Sequence, residues 1–230
     1  MSKDEFDEYR DNYVETVEKS VEFSGLRHSF FQESKALIIK DLIEQYLPDN
    51  SRKTLLDVGC GVGALHPYID KMFTKIHGVD VSAESITKAK INNPMHDYQY
   101  YEGHTLPFAD NSVDMSLAVC VMHHVPTNLW DNFLSEKTRV VRPGGLVCLI
   151  EHNPINPATR LSVARCPFDE DAVLLGARPM RKRLRQANLD CVKTRHFVFF
   201  PTNKPIIRSI ERRIGWLPLG AQYAAIGIPR

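Results

Sequence analysis

The sequence of 230 residues contains no run of about 18 or more apolar residues, the length that a membrane-spanning helix requires. Its opening segment, MSKDEFDEYR, is acidic and lacks the apolar stretch that is typical of a secretory signal. The five cysteines show no C-x-x-C spacing, and most of them lie in apolar, strand-like runs. These absences predict a cytoplasmic protein whose thiols are reduced and buried.

A strong net charge is also absent, because the formal value is only +1. That value hides an asymmetry: residues 1–150 carry 15 Lys and Arg against 22 Asp and Glu, whereas residues 151–230 carry 14 against 6. Much of the basic excess lies in RPMRKRLR (178–185) and IIRSIERR (206–213). A solvated helix face accounts for such runs. The alternative is a surface that attracts an anionic substrate, a membrane or nucleic acid.

Helical and extended patterns alternate along the chain, and no internal repeat, low-complexity segment or domain linker interrupts them. Helical spacing of apolar residues occurs at Phe6, Tyr9, Tyr13, Val17 and Val21, and again at Leu37, Ile38, Leu42, Tyr46 and Leu47. Further helices are predicted over 64–73, from Ala83, over 127–141 with Thr127 as the cap, and near 179–187. Strands are predicted over 54–58, 75–80, 98–102, 113–121, 145–151, 191–200 and 222–228. This order predicts an α/β fold with a doubly wound, mostly parallel sheet.

The stretch LLDVGCGVG (55–63) is a buried strand that runs into a glycine-rich turn. Its spacing is G-x-G-x-G, at Gly59, Gly61 and Gly63, so the third glycine comes one residue earlier than in the dinucleotide fingerprint G-x-G-x-x-G. No Gly-Lys-Ser/Thr follows, which excludes a P-loop. Asp57 precedes the glycines, and its carboxylate would repel a pyrophosphate but suit a cationic amine. S-adenosylmethionine (SAM) fits, because it carries an ammonium and a sulfonium group and no phosphate; a tight turn without a ligand is the alternative.

Asp80 ends the second predicted strand, 23 residues after Asp57. An acidic residue at a spacing of about 20 accepts hydrogen bonds from ribose hydroxyls in nucleotide-binding folds. This feature alone does not separate NAD from SAM.

Four segments in order carry a resemblance to a known family: LLDVGCGVG, IHGVDVS, LPFADNSVDMSLAVCVMHHV and VVRPGGLVCLIEHNP. They span about residues 54–154, and the chain resembles the class I SAM-dependent methyltransferases, in particular the broad family that includes the ubiquinone and menaquinone biosynthesis enzymes. The resemblance implies a Rossmann-like seven-stranded sheet with an antiparallel last strand and helices on both faces. It also implies one domain over 1–230, comprising an N-terminal helical cap (1–50), a SAM-binding core (51–154) and acceptor-side and C-terminal strands (155–230).

The resemblance further implies which residues contact SAM. They are Asp57, Gly59, Cys60, Gly61, Gly63, Asp80, Val81, His104, Thr105 and Cys120. The chain departs from its relatives before LPF, where they often have Gly-Asp-Ala with the Asp facing the adenine amine. Here the sequence reads EGHTLPF, so His104, Thr105 or a backbone group is expected to serve adenine.

Methyl transfer from SAM is an in-line displacement, for which an enzyme mainly aligns the nucleophile with the methyl group. A general base helps when the nucleophile must lose a proton, and histidine titrates near neutrality. The ends of the fourth and fifth strands predict the catalytic candidates His123, His124, Glu151 and His152. The alternatives are histidines that bond loop backbone and a glutamate that braces the sheet. Because adjacent histidines rarely point at one ion and no i,i+4 pair is present, no metal site is expected.

The chain has neither the Asn/Asp-Pro-Pro-Tyr/Phe signature of amino-methylating DNA enzymes nor a known nucleic-acid module. In RCPF, Cys166 precedes the proline, the reverse of the Pro-Cys that cytosine-5 enzymes use. A small-molecule acceptor is therefore expected, and nucleic acid is not. The aromatic-rich segment VEFSGLRHSFF (21–31) is expected to cover the acceptor pocket or to pack as a core helix. The basic C-terminal region predicts an anionic or lipid-linked acceptor and peripheral membrane contact.

Three functions remain open from the sequence. The first is an active small-molecule methyltransferase. The second is a catalytically silent SAM-fold partner protein, and the third is an NAD-dependent oxidoreductase, against which Asp57 and the early Gly63 argue.

Overall fold

The computed structural model describes residues 18–48 and 53–230. Its helices are α1 (His28–Tyr46), α2 (His66–Ile69), α3 (Ala83–Asn92), α4 (Trp130–Val140), α5 (Pro157–Arg165), α6 (Ala177–Gln186) and α7 (Pro205–Ile214). Its strands are β1 (Thr54–Val58), β2 (Lys75–Asp80), β3 (Asp97–Tyr100), β4 (Val113–Val119), β5 (Val141–His152), β6 (Leu189–Phe197) and β7 (Gln222–Pro229). Short 3-10 helices cover Glu22–Ser24, Asp70–Met72, Met122–His124, Thr127–Leu129 and Pro167–Asp169.

The seven strands form one sheet in the order β3-β2-β1-β4-β5-β7-β6. The pairs from β3 to β5 are parallel, and β7 runs antiparallel to both of its neighbours, β5 and β6. The direction in which successive strands are added to the sheet reverses between β1 and β4. In open sheets of this kind, ligands bind outside the carboxyl ends of the strands at such a reversal. The predicted Rossmann-like sheet with its antiparallel last strand is therefore confirmed.

Apolar layers cover both faces of the sheet, because alternate residues of each parallel strand point to opposite sides. In β1, Leu55 packs into the layer that contains α1 and α2, whereas Leu56 packs into the layer that contains α4 and α6. Both leucines are fully buried. The carboxyl ends of the strands are thereby held in a rigid frame.

The boundaries of β1 and β2 agree with the sequence pattern, whereas other boundaries differ. Thr127 does not cap a helix: a 3-10 turn begins there, and α4 begins at Trp130. The indole Nε1 of Trp130 donates to the carbonyl oxygens of Met122 and Val125, which fixes the start of α4 against the preceding loop. The helices α5 and α7 were not among the sequence predictions. The predicted first helix lies mostly in residues 1–17, outside the described residues.

All five cysteines lie in the part of the chain that the structure describes, and none forms a disulfide. Cys148 and Cys166 are buried and Cys60 and Cys120 are half-buried, but Cys191 is exposed at a bulge in β6. The expectation of buried thiols is therefore wrong for Cys191. Within residues 18–48 and 53–230, no helix is long and apolar enough to cross a membrane.

Candidate functional site

A cavity of about 640 Å³ opens at the carboxyl ends of the parallel strands. Its volume lies within the range of about 300–1,000 Å³ that ligand pockets occupy. The sequence-predicted residues that line it are Asp57, Gly59, Cys60, Gly61, Asp80, Val81, His104, Cys120, His123, His124 and His152. Gly63, Thr105 and Glu151 do not line it. One space thus contains both the predicted cofactor contacts and the predicted histidines.

The glycine turn after β1 depends on backbone conformations that other residues adopt at a cost. Gly59, Gly61 and Gly63 have φ values of +79°, +52° and +70°. A Cβ atom on Gly59 would lie 2.5 Å from the Val121 side chain, whereas a Cβ atom on Gly61 would meet nothing within 4 Å. Gly59 is therefore needed for packing, and Gly61 leaves its backbone open to a ligand in the cavity.

Asp80 anchors this turn from the end of β2. Its Oδ2 accepts a hydrogen bond from the Gly61 N–H at 2.8 Å, and its Oδ1 accepts one from the Ser82 N–H at 2.9 Å. Burial raises the pKa of the Asp80 carboxyl, although both N–H groups favour its charged form. Asp80 therefore shapes the turn and also presents acceptor oxygens to the cavity.

Asp57 is 3% exposed, and a chain of polar contacts through His66 and Tyr98 holds its carboxylate in place. Its Oδ2 lies 3.1 Å from Nε2 of His66, and Nδ1 of His66 contacts the Tyr98 hydroxyl. The other oxygen, Oδ1, is buried and has no hydrogen-bond partner in the part of the chain that the structure describes. Because a buried carboxylate oxygen is costly to leave unpaired, it marks a position where a ligand donor fits.

Tyr101, Glu102, Gly103 and His104 line the wall beyond Asp80, on the side where adenine was expected to bind. The His104 carbonyl oxygen accepts a hydrogen bond from Asn132 Nδ2 at 2.8 Å, which ties this loop to α4. Thr105 lies outside the wall. The residues that this wall offers to a ligand are therefore those from Tyr101 to His104.

Glu151 braces the loop that follows β4. Its Oε1 accepts hydrogen bonds from the N–H groups of Val121 and Met122, at 3.2 and 2.9 Å. Its Oε2 lies 2.5 Å from Nδ1 of His123. The carboxylate therefore points away from the cavity and positions His123 within it.

The three histidines at the acceptor end share one electrostatic environment, and the ring centroid of His123 lies 4.2 Å from that of His124 and 5.3 Å from that of His152. Burial lowers the pKa of His123, but the carboxylates of Glu151 and Asp169 outweigh it and raise the pKa well above its usual value. Burial and the charge of His123 lower the pKa of His124 and of His152 to about 4. None of the three has the near-neutral pKa that is typical of a general base.

Asp169, which sequence reasoning missed, lies beside these histidines. Its Oδ1 is 3.4 Å from Nε2 of His123 and 3.4 Å from Nε2 of His124. The segment is joined to the histidine loop by a hydrogen bond from the Val173 N–H to the His123 carbonyl oxygen, at 2.9 Å. Asp169 is one of three acidic residues in FDEDA, so nothing local in the sequence distinguishes it.

Other walls of the cavity also went unpredicted. Lys35 of α1 is 9% exposed and lines the cavity together with Phe31. Phe199, Phe200 and Pro201 line it from the loop between β6 and α7. The sequence pointed to α1 only through the general expectation that segment 21–31 covers the pocket. Val21, Leu26 and His28 of that segment line the cavity.

Comparison with known proteins shows which proteins the chain is similar to. Residues 56–149 match the family described as "Methyltransferase domain". The chain is 31% identical over 113 residues to a ubiquinone biosynthesis O-methyltransferase of Rhizobium rhizogenes, covering 47% of this chain and 45% of the relative. It is 31% identical over 110 residues to a fatty-acid O-methyltransferase of Mycolicibacterium smegmatis, covering 46% and 39%. The chain thus spans half or less of the length of these curated relatives.

Among solved structures, a SAM-dependent methyltransferase of Thermotoga maritima, described as a possible histamine N-methyltransferase, matches with a TM-score of 0.63. The match covers 87% of this chain and 89% of that chain at 16% identity, so it supports the fold alone. The family match, the relatives and the fold together confirm the resemblance that the four sequence segments carry: residues 56–149 match a methyltransferase domain, and the chain is similar to SAM-dependent methyltransferases.

Proposed function

We propose that this chain transfers a methyl group from SAM to a small-molecule acceptor. The observation that carries the proposal is the single cavity lined by Asp57, Gly61 and Asp80 at one end and by His123, His124 and His152 at the other. Such a cavity allows a donor and an acceptor to be held side by side, which is the main requirement of an in-line transfer.

The residues at the donor end fit SAM. When bound, SAM supplies a methyl group that its sulfonium centre has already activated. The unpaired Oδ1 of Asp57 suits the ammonium group, and the open space at Gly61 lets the backbone approach the methionine part of the ligand. Asp80 suits the ribose hydroxyls, and the wall from Tyr101 to His104 suits adenine. The Asp57 carboxylate would repel a pyrophosphate, which argues against NAD.

At the acceptor end, we assign His124 and His152 a positioning role toward the acceptor. Both line the cavity, and Glu151 fixes the loop that carries His124 through two backbone N–H groups. Lys35 adds a cationic side chain in the same wall, which favours an acceptor with an anionic or electron-rich group.

The surface around α7 supports a lipid-linked acceptor that is presented at an anionic membrane. Ile206 and Trp216 are 77% and 75% exposed, and Ile210 and Leu219 are also exposed. These four residues are called the apolar patch. Lys204 and Arg213, exposed on the same segment, supply positive charge beside the patch. Interfacial helices combine these two features, apolar side chains that enter the headgroup region and cations that attract anionic lipids.

Glu211 joins α7 to the cavity wall. This residue of α7 accepts a hydrogen bond from the Phe199 N–H at 2.7 Å, and Phe199 lines the cavity wall. A membrane that contacts α7 would therefore lie next to one wall of the acceptor site.

Vesicle binding tests the membrane part of the proposal. Sedimentation with phosphatidylcholine vesicles should be weak and should increase when phosphatidylserine is included. Substituting both Ile206→Ser and Trp216→Ser should lower binding by roughly tenfold or more, because each side chain contributes up to about 1.5–3 kcal/mol when buried. Ile91→Ser is the matched control, because Ile91 is 74% exposed on α3, away from the patch. Equal binding by the double variant and the parent would exclude the apolar patch as the membrane contact.

Two measurements test the reaction itself. Saturating SAM should raise the melting temperature, because a ligand that binds only the folded state stabilises it, and NAD should not. Mass spectrometry of a metabolite mixture incubated with the chain and SAM should then reveal an acceptor that has gained one methyl group. SAM binding without any methylated product across the screen would favour the catalytically silent partner protein.

A further inference from the structure

His123, His124 and Asp169 bring three potential ligand atoms close together in the cavity wall. Both histidine Nε2 atoms lie 3.4 Å from the same atom, Oδ1 of Asp169. The three ligand atoms all lie within 4.8 Å of one another. Adjacent histidines rarely point at one ion, but in the 3-10 turn Met122–His124 both rings lie near the same carboxylate.

Two of the three separations agree with a tetrahedral metal site. Bonds of about 2.0–2.1 Å, the usual lengths for zinc with histidine nitrogen and carboxylate oxygen, place neighbouring ligand atoms about 3.3–3.4 Å apart. Hydrogen bonds would be shorter, at about 2.9 Å. The distances of 3.4 Å to Asp169 are therefore too long for good hydrogen bonds and suitable for two edges of a coordination tetrahedron.

The contacts of the His123 ring are also compatible with a metal ligand. His123 is 2% exposed, and its Nε2 has no hydrogen-bond partner within residues 18–48 and 53–230. Its other nitrogen, Nδ1, is fixed by Glu151 at 2.5 Å. Metal-binding histidines are held in this way, with one nitrogen bonded to a carboxylate and the other directed at the ion.

We propose that His123, His124 and Asp169 bind a divalent transition-metal ion, with Zn²⁺ as the best match. Two imidazole nitrogens and one carboxylate suit zinc or a related transition metal, whereas Mg²⁺ and Ca²⁺ prefer oxygen ligands. Three protein ligands leave one coordination position open, which is the arrangement of catalytic rather than structural zinc sites. All three side chains line the cavity, so the open position faces the acceptor end.

If the proposed function holds, the metal site specifies an oxygen nucleophile as the acceptor, because the ion would bind that oxygen and favour loss of its proton. The hydroxyl proton would leave to solvent and the oxygen would form the new bond to the methyl carbon. The electron pair of the broken sulfur–carbon bond would remain on sulfur.

Metal titration of the full, tag-free chain after chelator treatment tests the site. One equivalent of Zn²⁺ should bind by calorimetry, and Co²⁺ should give the visible absorption of a tetrahedral site with nitrogen and oxygen ligands. His124→Ala and Asp169→Asn should each weaken binding by roughly 100-fold or more, since loss of even an outer-shell partner costs 10–100-fold. His77→Ala is the control, because His77 lies on β2, next to Asp97 of β3, and does not line the cavity.

Three results would overturn the site: failure of the parent chain to bind either ion stoichiometrically, equal binding by the parent and both ligand variants, or a thiolate-to-cobalt absorption band. That band would identify one of the cysteines that line the cavity, Cys60, Cys120 or Cys166, as a ligand in place of the proposed set. Circular dichroism must show that each variant is folded, and His124→Gln replaces His124→Ala if the latter is not. The titration requires neither SAM nor an acceptor, so a chain that binds zinc but methylates nothing would refute the proposed function and leave the metal site standing.

Discussion

His123 and Glu151 join the ends of β4 and β5 through a 2.5 Å contact between Nδ1 and Oε2. The same carboxylate accepts the backbone N–H groups of Val121 and Met122. Glu151 was predicted as either a catalytic residue or a brace for the sheet. Its contacts support the brace, because both oxygens are occupied by the loop and neither lines the cavity.

Replacing Glu151 by alanine should destabilise the fold by about 3–5 kcal/mol, because a buried charged partner and two backbone donors would be left unpaired. Glu151→Gln should cost less, since its amide oxygen still accepts from both backbone groups. Urea unfolding at constant pH measures the difference, with exposed Glu44→Gln as the control. Equal losses for the two Glu151 variants would contradict the bracing role of the backbone hydrogen bonds.

The carboxylate of Asp80 should be essential for SAM binding in two ways, through the ribose and through the shape of the glycine turn. Asp80→Ala should weaken SAM by tenfold or more, because charge-assisted hydrogen bonds contribute about 1.5–3 kcal/mol each. Asp80→Asn should fall between the parent and Asp80→Ala. Calorimetric titration with SAM measures the affinities. The control is Asp131→Ala, which removes the exposed ion pair between Asp131 of α4 and Arg183 of α6 and should bind SAM as the parent does.

Unchanged affinity in folded Asp80→Ala would show that neither the ribose contact nor the Gly61 hydrogen bond matters for the ligand. Asp80 is half-buried and holds the turn through the N–H groups of Gly61 and Ser82. Stability of the variant must therefore be measured alongside affinity.

Gly61 and Gly144 provide a matched pair for testing the close approach of the ligand. Both have a positive φ, +52° and +77°, and a Cβ atom on either would meet nothing within 4 Å. Alanine at either position should therefore cost a similar 1–2 kcal/mol of backbone strain. Only Gly61→Ala should weaken SAM, because only Gly61 lines the cavity. Equal SAM affinities for the two variants in a thermal-shift titration would exclude backbone contact at Gly61.

The cofactor end of the site could be predicted from the sequence because its residues lie next to strand ends. Asp57, Asp80 and the glycines each follow a short apolar run, and parallel strands bring their carboxyl ends to one edge. Local sequence order therefore determines which residues meet, and all but Gly63 and Thr105 of the predicted set line the cavity.

The acceptor end could not be predicted in the same way, because it depends on contacts between distant segments. Asp169 reaches His123 only through the path of α5 and the hydrogen bond from Val173. Lys35 lines the cavity from α1, which precedes all of the motifs in the chain. Neither residue differs in its local pattern from the exposed charged residues around it, so periodicity gave no signal.

Lys137 provides a last prediction, on how stability depends on pH. This side chain of α4 is fully buried, and its Nζ donates to Ser116 Oγ at 2.8 Å. Burial lowers the pKa of Lys137 to about 7 in the folded state, whereas the unfolded chain keeps a value near 10.4. Between these two values the unfolded state binds more protons, so raising the pH favours the folded state.

The contribution of Lys137 to the free energy of unfolding should therefore rise by about 1.4 kcal/mol for each pH unit above 7 and stay flat below 7. Lys137→Met should lack this slope while filling the same apolar space. Urea unfolding of both proteins from mildly acidic to mildly alkaline pH gives the difference curve, in which other titrating groups cancel. Lys40→Met, at an exposed position of α1, should run parallel to the parent. A flat difference between the parent and Lys137→Met across this range would mean that Lys137 keeps its charge in the folded state, with its ammonium stabilised by more than the Ser116 hydroxyl.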